Sequence, residues 1–321
     1  MQSIHKKKLY MVLALSILIA LLYQFAYLPL SIFDYAMKIR GAKLIVMIIT
    51  AICIGGASII FQTIINNTIV TPCLLGMNGL YILTHTVLIF ILGSSSMFVK
   101  NQVISFLLDI VIMILAAMLI YGYLFKKVKG SILYILLAGT VMATLFDSIT
   151  STLQRVMDPN QYNILQNALL AGFHKSNPNV IIFALVAIVI TAWCLRKELK
   201  NLNVLSLGRQ QAINLGIDYD VSTRRLLIGV TVCIAIATAL VGPISFLGLV
   251  IANLSRNLLR TFHHSYLIFG SIFFGVILLL GGQFFIERML HYSTTIGVFI
   301  NVGGGLYFLY LILGGTKKNG Y

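Results

Sequence analysis

The stretch at residues 5–28, HKKKLYMVLALSILIALLYQFAYL, places a small basic cluster directly before an unbroken apolar run. About 20 consecutive apolar residues are enough to cross the hydrocarbon layer of a bilayer as one helix. This run is longer than the apolar core of a cleavable signal peptide, and no small-residue cleavage site follows it. The stretch therefore predicts a membrane-spanning helix that is retained in the protein.

The rest of the chain has the same apolar character. Hydrophobic residues make up 59% of the 321 residues and charged residues only 10%, and the mean hydropathy is +0.98. This composition excludes a water-soluble globular protein. Only helices and closed barrels satisfy the backbone hydrogen bonds inside a bilayer, and the apolar runs are too long for barrel strands. The sequence therefore predicts an all-α polytopic membrane protein with a single transmembrane domain over residues 1–321.

Long apolar runs and the distribution of basic residues predict the topology. We expect about ten spans, at 9–28, 43–64, 76–93, 101–125, 131–154, 179–195, 224–242, 246–259, 266–286 and 296–314. Loops rich in Lys and Arg stay in the cytoplasm, and sixteen of the 23 basic residues fall on one side. The other side carries Lys38, Arg40, Lys43, Lys100, Arg155, Lys175 and Arg288. Both termini are thus expected in the cytoplasm. Topology and anionic headgroups account for the charge of +15 without a nucleic-acid partner.

Sequence motifs of catalysis or metal binding are absent. The four cysteines have no CxxC spacing, His263 and His264 are neighbours in a short loop, and His85 is isolated. No nucleophile elbow or phosphate-binding glycine loop occurs. We therefore expect no catalytic residue, no metal site and no cofactor, and any ATP must be held by another chain.

The longest cytoplasmic loop, residues 196–225, is not a low-complexity linker. Its centre, LSLGRQQAINLG at 205–216, offers an amphipathic helical turn or two with Leu205, Leu207, Ala212 and Leu215 as the apolar positions. Gly216 suits the C-terminal cap of such a helix. Two alternatives stay open on physical grounds: a knob that docks in a partner's groove, or a helix that lies on the lipid headgroups.

Two acidic residues fall inside predicted spans, Asp109 in the fourth and Asp147 in the fifth. Carboxylates within a membrane are rare and costly, so a functional role is the first hypothesis. They could form a proton or cation site, which would favour a secondary transporter. They could equally be structural, each meeting water or the hydroxyl group of a neighbour.

Four tracts of the chain together resemble a known family. They are RGAK at 40–43, NNTIVTPCLLGMNG at 66–79, the region from LSLGRQQAINLG at 205 to the arginine in GPISFLGLVIANLSR at 256, and TTIGVFINVGGGLYFLYLI at 294–312. In this order they resemble the FecCD-type permeases, the membrane subunits of iron-chelate and cobalamin ABC importers. The sequence departs from the family pattern where Asn66-Asn67-Thr68 replaces Arg-Asn-Pro and where Ala252-Asn253 replaces Pro-His.

The resemblance implies the fold and function of a FecCD-type permease in a bacterial cytoplasmic membrane. The chain would be one permease subunit of an ATP-driven importer, with a ferric siderophore as the expected cargo and haem or cobalamin as the open alternatives, and with alternating access as mechanism. Two cytoplasmic ATP-binding subunits and an extracytoplasmic substrate-binding protein would be its partners. Because several family motifs are altered, the second permease subunit is expected to be a paralogue, which gives a heterodimer.

The resemblance also implies roles for individual residues. The 196–225 loop would couple to the ATPases through Leu205, Gly208, Gln211, Ala212 and Gly216, and Gly216 would let the chain turn between two short helices. Binding-protein docking would use Arg40, Lys43 and Arg288, for which the alternative is a set of helix-end anchors at the lipid surface. The polar residues available for the translocation path include Gln62, Asn66, Asn78 and Asp147.

Overall fold

The computed structural model describes residues 2–26, 33–93, 96–97, 101–128, 132–173 and 177–316. This part of the chain contains fourteen α-helices, one short 3-10 helix at Pro72–Leu75 and no β-strand, so the all-α prediction is confirmed. The α-helices are α1 (Gln2–Phe25), α2 (Phe33–Ile65), α3 (Met77–Leu92), α4 (Gln102–Val128), α5 (Ile132–Val156), α6 (Pro159–Leu169), α7 (Pro178–Cys194), α8 (Arg196–Lys200), α9 (Leu202–Leu205), α10 (Arg209–Asn214), α11 (Tyr219–Val241), α12 (Leu247–Leu259), α13 (His264–Arg288) and α14 (Ile296–Thr316).

A helix covers each of the ten predicted spans. Four helices, α1, α2, α11 and α13, are long and apolar enough to cross a membrane, and shorter apolar helices lie in α3, α4, α7, α12 and α14. The largest difference at a boundary is at α2, which begins at Phe33 where the sequence predicted residue 43. Hydropathy missed these residues because the helix continues beyond its apolar part, through a stretch that contains Asp34, Lys38 and Arg40. Residues 27, 28 and 131 of the predicted spans, and Lys100, Lys129, Lys175, Lys317 and Lys318 of the charge count, lie outside the described residues.

The core of the molecule is formed around α2 and α11. Helix α2 packs on α11, α12 and α13, while α1 covers α13 and α4 covers the other side of α11. Small residues permit these close approaches: a side chain at Gly55 of α2 would meet the backbone of Ser271 in α13 at 3.1 Å. The Ser271 hydroxyl donates to the Gly55 carbonyl over 3.0 Å. Helices without a hydrophobic drive between them pack in this way in membranes.

The two ends of α1 identify the two ends of the molecule. At its beginning, Lys8 donates to the carbonyl of Leu258 near the end of α12, over 2.9 Å. At its other end, Arg40 from the first part of α2 contacts the last carbonyls of α1. The helix has 24 residues, which corresponds to a length of about 36 Å at 1.5 Å per residue. The 196–225 segment lies near the beginning of α1, because its Asn203 accepts from the backbone N–H of His264, which follows the end of α12. The predicted docking residues and this segment therefore lie at opposite ends of the helix bundle.

Candidate functional site

The three basic residues predicted for docking line one pocket. Arg40 and Lys43 come from α2, and Arg288 is the last residue of α13. The pocket has a volume of about 260 Å³ and is lined by Tyr35, Ala36, Ile39, Arg40, Lys43, Glu287, Arg288 and Tyr292. We call it the basic pocket, since it gathers three cations and one carboxylate. Residues that are some 245 positions apart in the sequence are thus brought together by the packing of α2 on α13.

Arg40 in the basic pocket also stabilises the end of α1. Its Nη1 donates to the carbonyl oxygens of Ala26, Tyr23 and Gln24 at 2.8, 3.4 and 3.5 Å. The last carbonyls of a helix have no partner within the helix, and a cation beside them also interacts favourably with the helix dipole. Arg40 is therefore held in place by α1 rather than free in solvent.

Lys43 is held by Glu287, a residue that the sequence reasoning missed. The Lys43 ammonium lies 3.6 Å from Glu287 Oε1, and their side chains are only 13% and 8% exposed. Gln283 donates to the same Glu287 oxygen over 2.8 Å, and the Tyr23 hydroxyl donates over 3.4 Å. Lys43 also lies 5.9 Å from the centre of the Tyr292 ring. Glu287 is the next-to-last residue of the apolar helix α13, directly before Arg288, and this adjacency was the only sequence signal for it.

Tyr292 closes the basic pocket from a tight turn after α13. Both His291 and Tyr292 have positive φ angles, +47° and +61°, in a region that non-glycine residues seldom adopt. The Tyr292 N–H donates to the carbonyl of Ile286 over 3.2 Å, which fixes the turn against the helix end. Partial burial, reinforced by the Glu287 carboxylate, raises the pKa of the Tyr292 phenol. The phenol therefore stays protonated and presents a neutral hydroxyl to the pocket.

The 196–225 segment at the other end of the bundle contains three short helices, α8, α9 and α10. The chain turns between α9 and α10 at Gly208, whose φ is +95°. The turn between short helices was predicted at Gly216, and this prediction was wrong. Gly216 instead lies just after the end of α10, where its φ is +80°. The Gly216 N–H donates to the carbonyl of Ile213, and the Ile217 N–H donates to the carbonyl of Ala212. This pattern is a Schellman C-cap, as the cap prediction for Gly216 required.

The amphipathic pattern suggested that the apolar positions of the 196–225 segment share one face. In the structure they do not. Leu205 and Ala212 are 2% and 0% exposed and belong to the protein core. Leu207 and Leu215 are 56% and 61% exposed, and Ile213 between them in sequence is also exposed. Gln211 is exposed on the same short helix. The inward residues anchor the segment, and the exposed set Leu207, Ile213 and Leu215 forms its apolar surface.

Charged contacts join the short helices of the segment to the start of α11. Arg225 Nη1 donates to Glu198 Oε1 over 2.8 Å, and Glu198 is nearly buried while Arg225 is exposed. The Arg225 guanidinium lowers the pKa of the Glu198 carboxyl. Arg209 and Asp220 form a second pair at 2.8 Å, with both side chains exposed.

A further contact joins the segment to the bundle through α13. Asn203 Oδ1 accepts from the backbone N–H of His264 at 3.0 Å and lies 2.7 Å from His264 Nδ1. Asn203 belongs to α9, and His264 is the first residue of α13. This contact ties α9 directly to the start of a long helix.

The four residues proposed for the translocation path separate into two pairs. Gln62 and Asn66 lie at the end of α2, where Gln62 is 1% exposed and Asn66 is exposed in a turn with φ +49°. Gln62 accepts from Arg256 Nε over 3.2 Å and donates to the Thr68 carbonyl over 2.7 Å. Gln62 therefore links α2, α12 and the 66–71 connection.

The second pair, Asn78 and Asp147, lies where α3 meets α5. Asn78 is 7% exposed and donates to Ser245 Oγ over 3.0 Å. Asp147 is exposed on α5, and a side chain added at Gly79 would lie 3.3 Å from its Oδ1. The structure therefore brings Asn78 and Asp147 to neighbouring positions but does not join them to Gln62 and Asn66.

The other intramembrane acid, Asp109, is paired with His85, which was predicted to be isolated. Asp109 on α4 is 2% exposed, and its Oδ2 lies 3.0 Å from His85 Nε2 on α3. The His85 ring also packs edge-on against Tyr81, with ring centres 4.6 Å apart. The expectation that His85 stands alone was wrong, because α3 and α4 are antiparallel neighbours. The sequence signal for this pair was that His85 and Asp109 lie toward the same end of two consecutive predicted spans.

The described residues contain no cluster of three or more His, Cys, Asp or Glu side chains that could hold a metal ion. The candidate sites are the basic pocket, the 196–225 segment and the polar residues of α3 and α5.

Comparisons with known proteins agree with the family resemblance of the sequence motifs. Residues 9–314 match the model of the FecCD transport family. The chain is 41% identical over 294 residues to the petrobactin import system permease protein YclO of Bacillus subtilis, covering 92% of this chain and 93% of that protein. It is 32% identical to the petrobactin import permease FatC of Bacillus anthracis, covering 86% and 78%. It is 30% identical to the iron(3+)-hydroxamate import permease FhuG of Bacillus subtilis, covering 86% and 82%.

A solved structure has the same fold. It is a metal-chelate type ABC transporter in an inward-facing conformation, with a TM-score of 0.82 over 96% of this chain and 99% of that chain. The two sequences are 20% identical, so this likeness concerns the fold alone.

Proposed function

The chain belongs to the FecCD transport family, and from this premise we propose that it is the permease subunit of an ATP-driven importer whose cargo is a ferric siderophore. The observation that carries the proposal is the 41% identity to a petrobactin import permease over nearly the full length of both chains. Relatives for petrobactin and for iron(3+)-hydroxamate support the wider class of ferric siderophores. The protein acts as a multi-pass protein of the bacterial cytoplasmic membrane.

The basic pocket is proposed as the docking site of an extracytoplasmic substrate-binding protein. Arg40 and Lys43 are fixed by α1 and Glu287, so the cations are already in position before a partner arrives. Preorganised charges of this kind contribute more to orientation and association rate than to final affinity. A binding protein with carboxylates at its docking surface fits a pocket with three cations and one anion.

The 196–225 segment is proposed as the docking site of one of two ATP-binding subunits, each of which lies beneath one permease subunit. Leu207, Ile213 and Leu215 expose an apolar surface there, while Leu205 and Ala212 anchor it in the core. Exposed apolar side chains on and beside a short helix suit a groove in a partner. Gly208 and Gly216 define the two bends that give the knob its shape.

Transport is proposed to follow alternating access. ATP-driven movement of the partner subunits would displace the 196–225 segment, and the Asn203–His264 contact would pass the displacement to α13. A paralogous permease would complete the pore as the second half of a heterodimer. ATP hydrolysis belongs to the partner chains, and this chain carries out no catalysis.

The alternative of a secondary transporter depends on Asp109 and Asp147. Asp109 is paired with His85 inside the bundle, which accounts for it as a structural contact between α3 and α4. Asp147 has no such partner among the described residues, so it alone sustains the alternative. The permease hypothesis needs no ion-coupling residue.

Reconstituted vesicles distinguish the two functions. The chain would be combined with its ATP-binding subunits, the second permease and the binding protein, and uptake of ferric petrobactin and of a ferric hydroxamate would be followed with radiolabelled iron. We expect uptake only with ATP hydrolysis, and loss of uptake when residues 205–216 are scrambled. Uphill transport by the chain without nucleotide, abolished by Asp109→Asn or Asp147→Asn, would overturn the proposal.

A further inference from the structure

Helix α7 has one apolar side that the chain leaves uncovered. The side chains Ile182, Val186, Val189 and Ile190 are 51% to 65% exposed, and Trp193 in the last turn is 64% exposed. Spacings of three and four residues place these five side chains on the same side of the helix. The apolar composition of this side suits the acyl chains of lipid. Trp193 lies at its end, where tryptophan side chains commonly meet the membrane–water interface.

Helix α8 continues the path of α7 across Leu195. The Leu195 N–H donates to the Thr191 carbonyl over 3.0 Å, and the Leu199 N–H donates to the Leu195 carbonyl over 2.9 Å. Both bonds join residues that are four positions apart, as in an α-helix. Residues three, four or seven positions apart across this junction therefore lie on the same side of the chain.

Three cations lie on the side of α8 that follows Trp193. Arg196, Lys197 and Lys200 come three, four and seven residues after Trp193, and all three are exposed. The Arg196 guanidinium lies 5.1 Å from the centre of the Trp193 ring, which is within the range of a cation–π contact. This contact shows that the cations begin where the apolar side of α7 ends. We call Trp193, Arg196, Lys197 and Lys200 the interfacial patch.

The acidic residue of α8 does not reduce the charge of the interfacial patch. The Glu198 side chain is 6% exposed and is paired with Arg225 at 2.8 Å. Its carboxylate is thus turned inward and neutralised by a cation from α11. Among the described residues, none of the three cations of the patch forms an ion pair. The patch therefore presents three positive charges outward.

An anionic phospholipid fits both parts of this surface. Its acyl chains would lie along the apolar side of α7, and its phosphate group would lie beside the cations of α8. Guanidinium and ammonium groups bind phosphate oxygens, and basic clusters beside a membrane helix attract anionic lipid. An acidic protein surface would match the cations but not the apolar side chains and the tryptophan that lead up to them. Continuity with the apolar side of α7 therefore selects lipid.

We infer that the interfacial patch binds the phosphate group of an anionic phospholipid and that this lipid holds α8 on the membrane surface. The binding needs neither cargo nor ATP-binding subunits, so it goes beyond the proposed permease function. The two alternatives for the 196–225 segment then apply to different parts of it. Helix α8 lies on the lipid headgroups, while the exposed side chains of Leu207, Ile213 and Leu215 stay available to a partner protein.

Fluorescence quenching by brominated lipid tests the inference at this patch alone, because Trp193 is the only tryptophan of the chain. The full-length chain is reconstituted in phosphatidylcholine vesicles that contain the same fraction of either dibrominated phosphatidylglycerol or dibrominated phosphatidylcholine. Bromine quenches a tryptophan that it contacts, so the two quenching curves give the preference of the site for the anionic lipid. Each variant is measured with both lipids, which cancels differences in brightness.

We expect the parent to prefer phosphatidylglycerol at least about fivefold at low salt, because each cation near a membrane surface attracts anionic lipid. The double variant Arg196→Gln and Lys200→Gln should reduce the preference to less than about twofold. Arg196→Lys with Lys200→Arg keeps both charges and should preserve it. The matched control, Lys6→Gln with Lys7→Gln, removes two exposed charges from the start of α1 and should leave the preference unchanged.

Three results would overturn the inference. If the parent shows no preference, the patch does not bind anionic lipid. If the Arg196 and Lys200 double variant keeps the parent's preference, or loses no more of it than the α1 control, the patch does not select the lipid. If addition of the ATP-binding subunits abolishes quenching by both lipids, the patch is a protein contact. The measurement involves no transport, so its failure is distinguishable from a failure of the proposed function.

Discussion

The basic pocket and the 196–225 segment are built in opposite ways, although both are proposed to receive a partner protein. In the basic pocket the charges are sheltered: the Lys43 and Glu287 side chains are 13% and 8% exposed, and Arg40 is fixed on the end of α1. In the 196–225 segment both partners of the Arg209–Asp220 pair are more than half exposed. There it is the apolar side chains Leu207 and Leu215 that stand out from the surface.

This difference indicates how each end of the helix bundle would recognise its partner. Sheltered charges interact more strongly than charges in bulk water, because the surrounding dielectric is lower. Exposed pairs contribute about 0–1 kcal/mol and are screened by salt. The pocket therefore depends on charge for its own structure, whereas the proposed binding of a partner to the 196–225 segment would depend on the burial of apolar surface. Four measurements can break or sharpen this contrast.

The largest effect is expected from Glu287→Ala in the basic pocket. The change leaves Lys43 without its carboxylate and removes the acceptor of Gln283 and Tyr23. Removing one partner of a sheltered pair costs roughly 3 kcal/mol, and the thermal midpoint of the purified protein should fall clearly. Glu287→Gln keeps the hydrogen-bonding shape and should lose less. Equal stability of the Ala variant and the parent would contradict the sheltered description.

A smaller effect is expected from the double variant Leu207→Ser and Leu215→Ser. Burying a leucine on association is worth about 1.5–3 kcal/mol when it is complete, so binding of the ATP-binding subunit should weaken at least about tenfold. The midpoint of thermal unfolding should not change, because both side chains are already exposed in the chain.

The matched control for the leucine variant is Leu170→Ser, an equally exposed leucine outside the segment. It should leave binding of the ATP-binding subunit unaltered. If binding measured by titration in lipid nanodiscs is the same for the double variant and the control, the exposed leucines are not part of the contact.

The Glu198–Arg225 pair should make stability depend on pH in the acid range. Arg225 lowers the pKa of Glu198 in the folded protein, so the stabilisation is present above the unfolded value of about 4.3. It is lost as the pH falls through the lower folded pKa. Because Arg225 is exposed, the effect is discounted to roughly 1 kcal/mol. Thermal unfolding at a series of pH values should show this loss in the parent, and Glu198→Gln should flatten it. An unchanged profile would assign the acid sensitivity to other groups.

The smallest effect is expected from Asp220→Ala. Its pair with Arg209 has side-chain exposures of 68% and 59%, and water and salt screen such an exposed pair strongly. The midpoint should stay within error of the parent at moderate salt. A loss as large as that of Glu287→Ala would remove the contrast between the two ends.

Much of the fold could be predicted from local features of the sequence. A helix occurs over every predicted span, because the cost of unpaired backbone groups in lipid leaves an apolar run of this length no other structure. Gly216 could be predicted as a helix cap for a similar local reason, since few other residues adopt a positive φ there. The resemblance to the FecCD-type permeases is confirmed over residues 9–314. The roles of the candidate site residues stay predictions that the experiments above address.

Other features depend on neighbours that a periodic pattern cannot identify. The pattern of 205–216 treated Leu205 and Leu207 alike, but only contact with the bundle buries the first and leaves the second exposed. His85 was judged isolated because nothing in the sequence says which side of α3 faces Asp109. Glu287 was not predicted for the same reason, since its partners Tyr23 and Lys43 come from α1 and α2.

The sequence by itself determined that this protein is a bundle of membrane helices and which residues carry its charges. Hydrophobic transfer and backbone hydrogen bonding act residue by residue along the chain, so their effects can be predicted from composition and spacing. Only the tertiary structure decided which charges are sheltered and which leucines are exposed. Those properties depend on distances of a few ångströms between residues that are far apart in sequence, and electrostatic and hydrogen-bond energies change steeply over such distances.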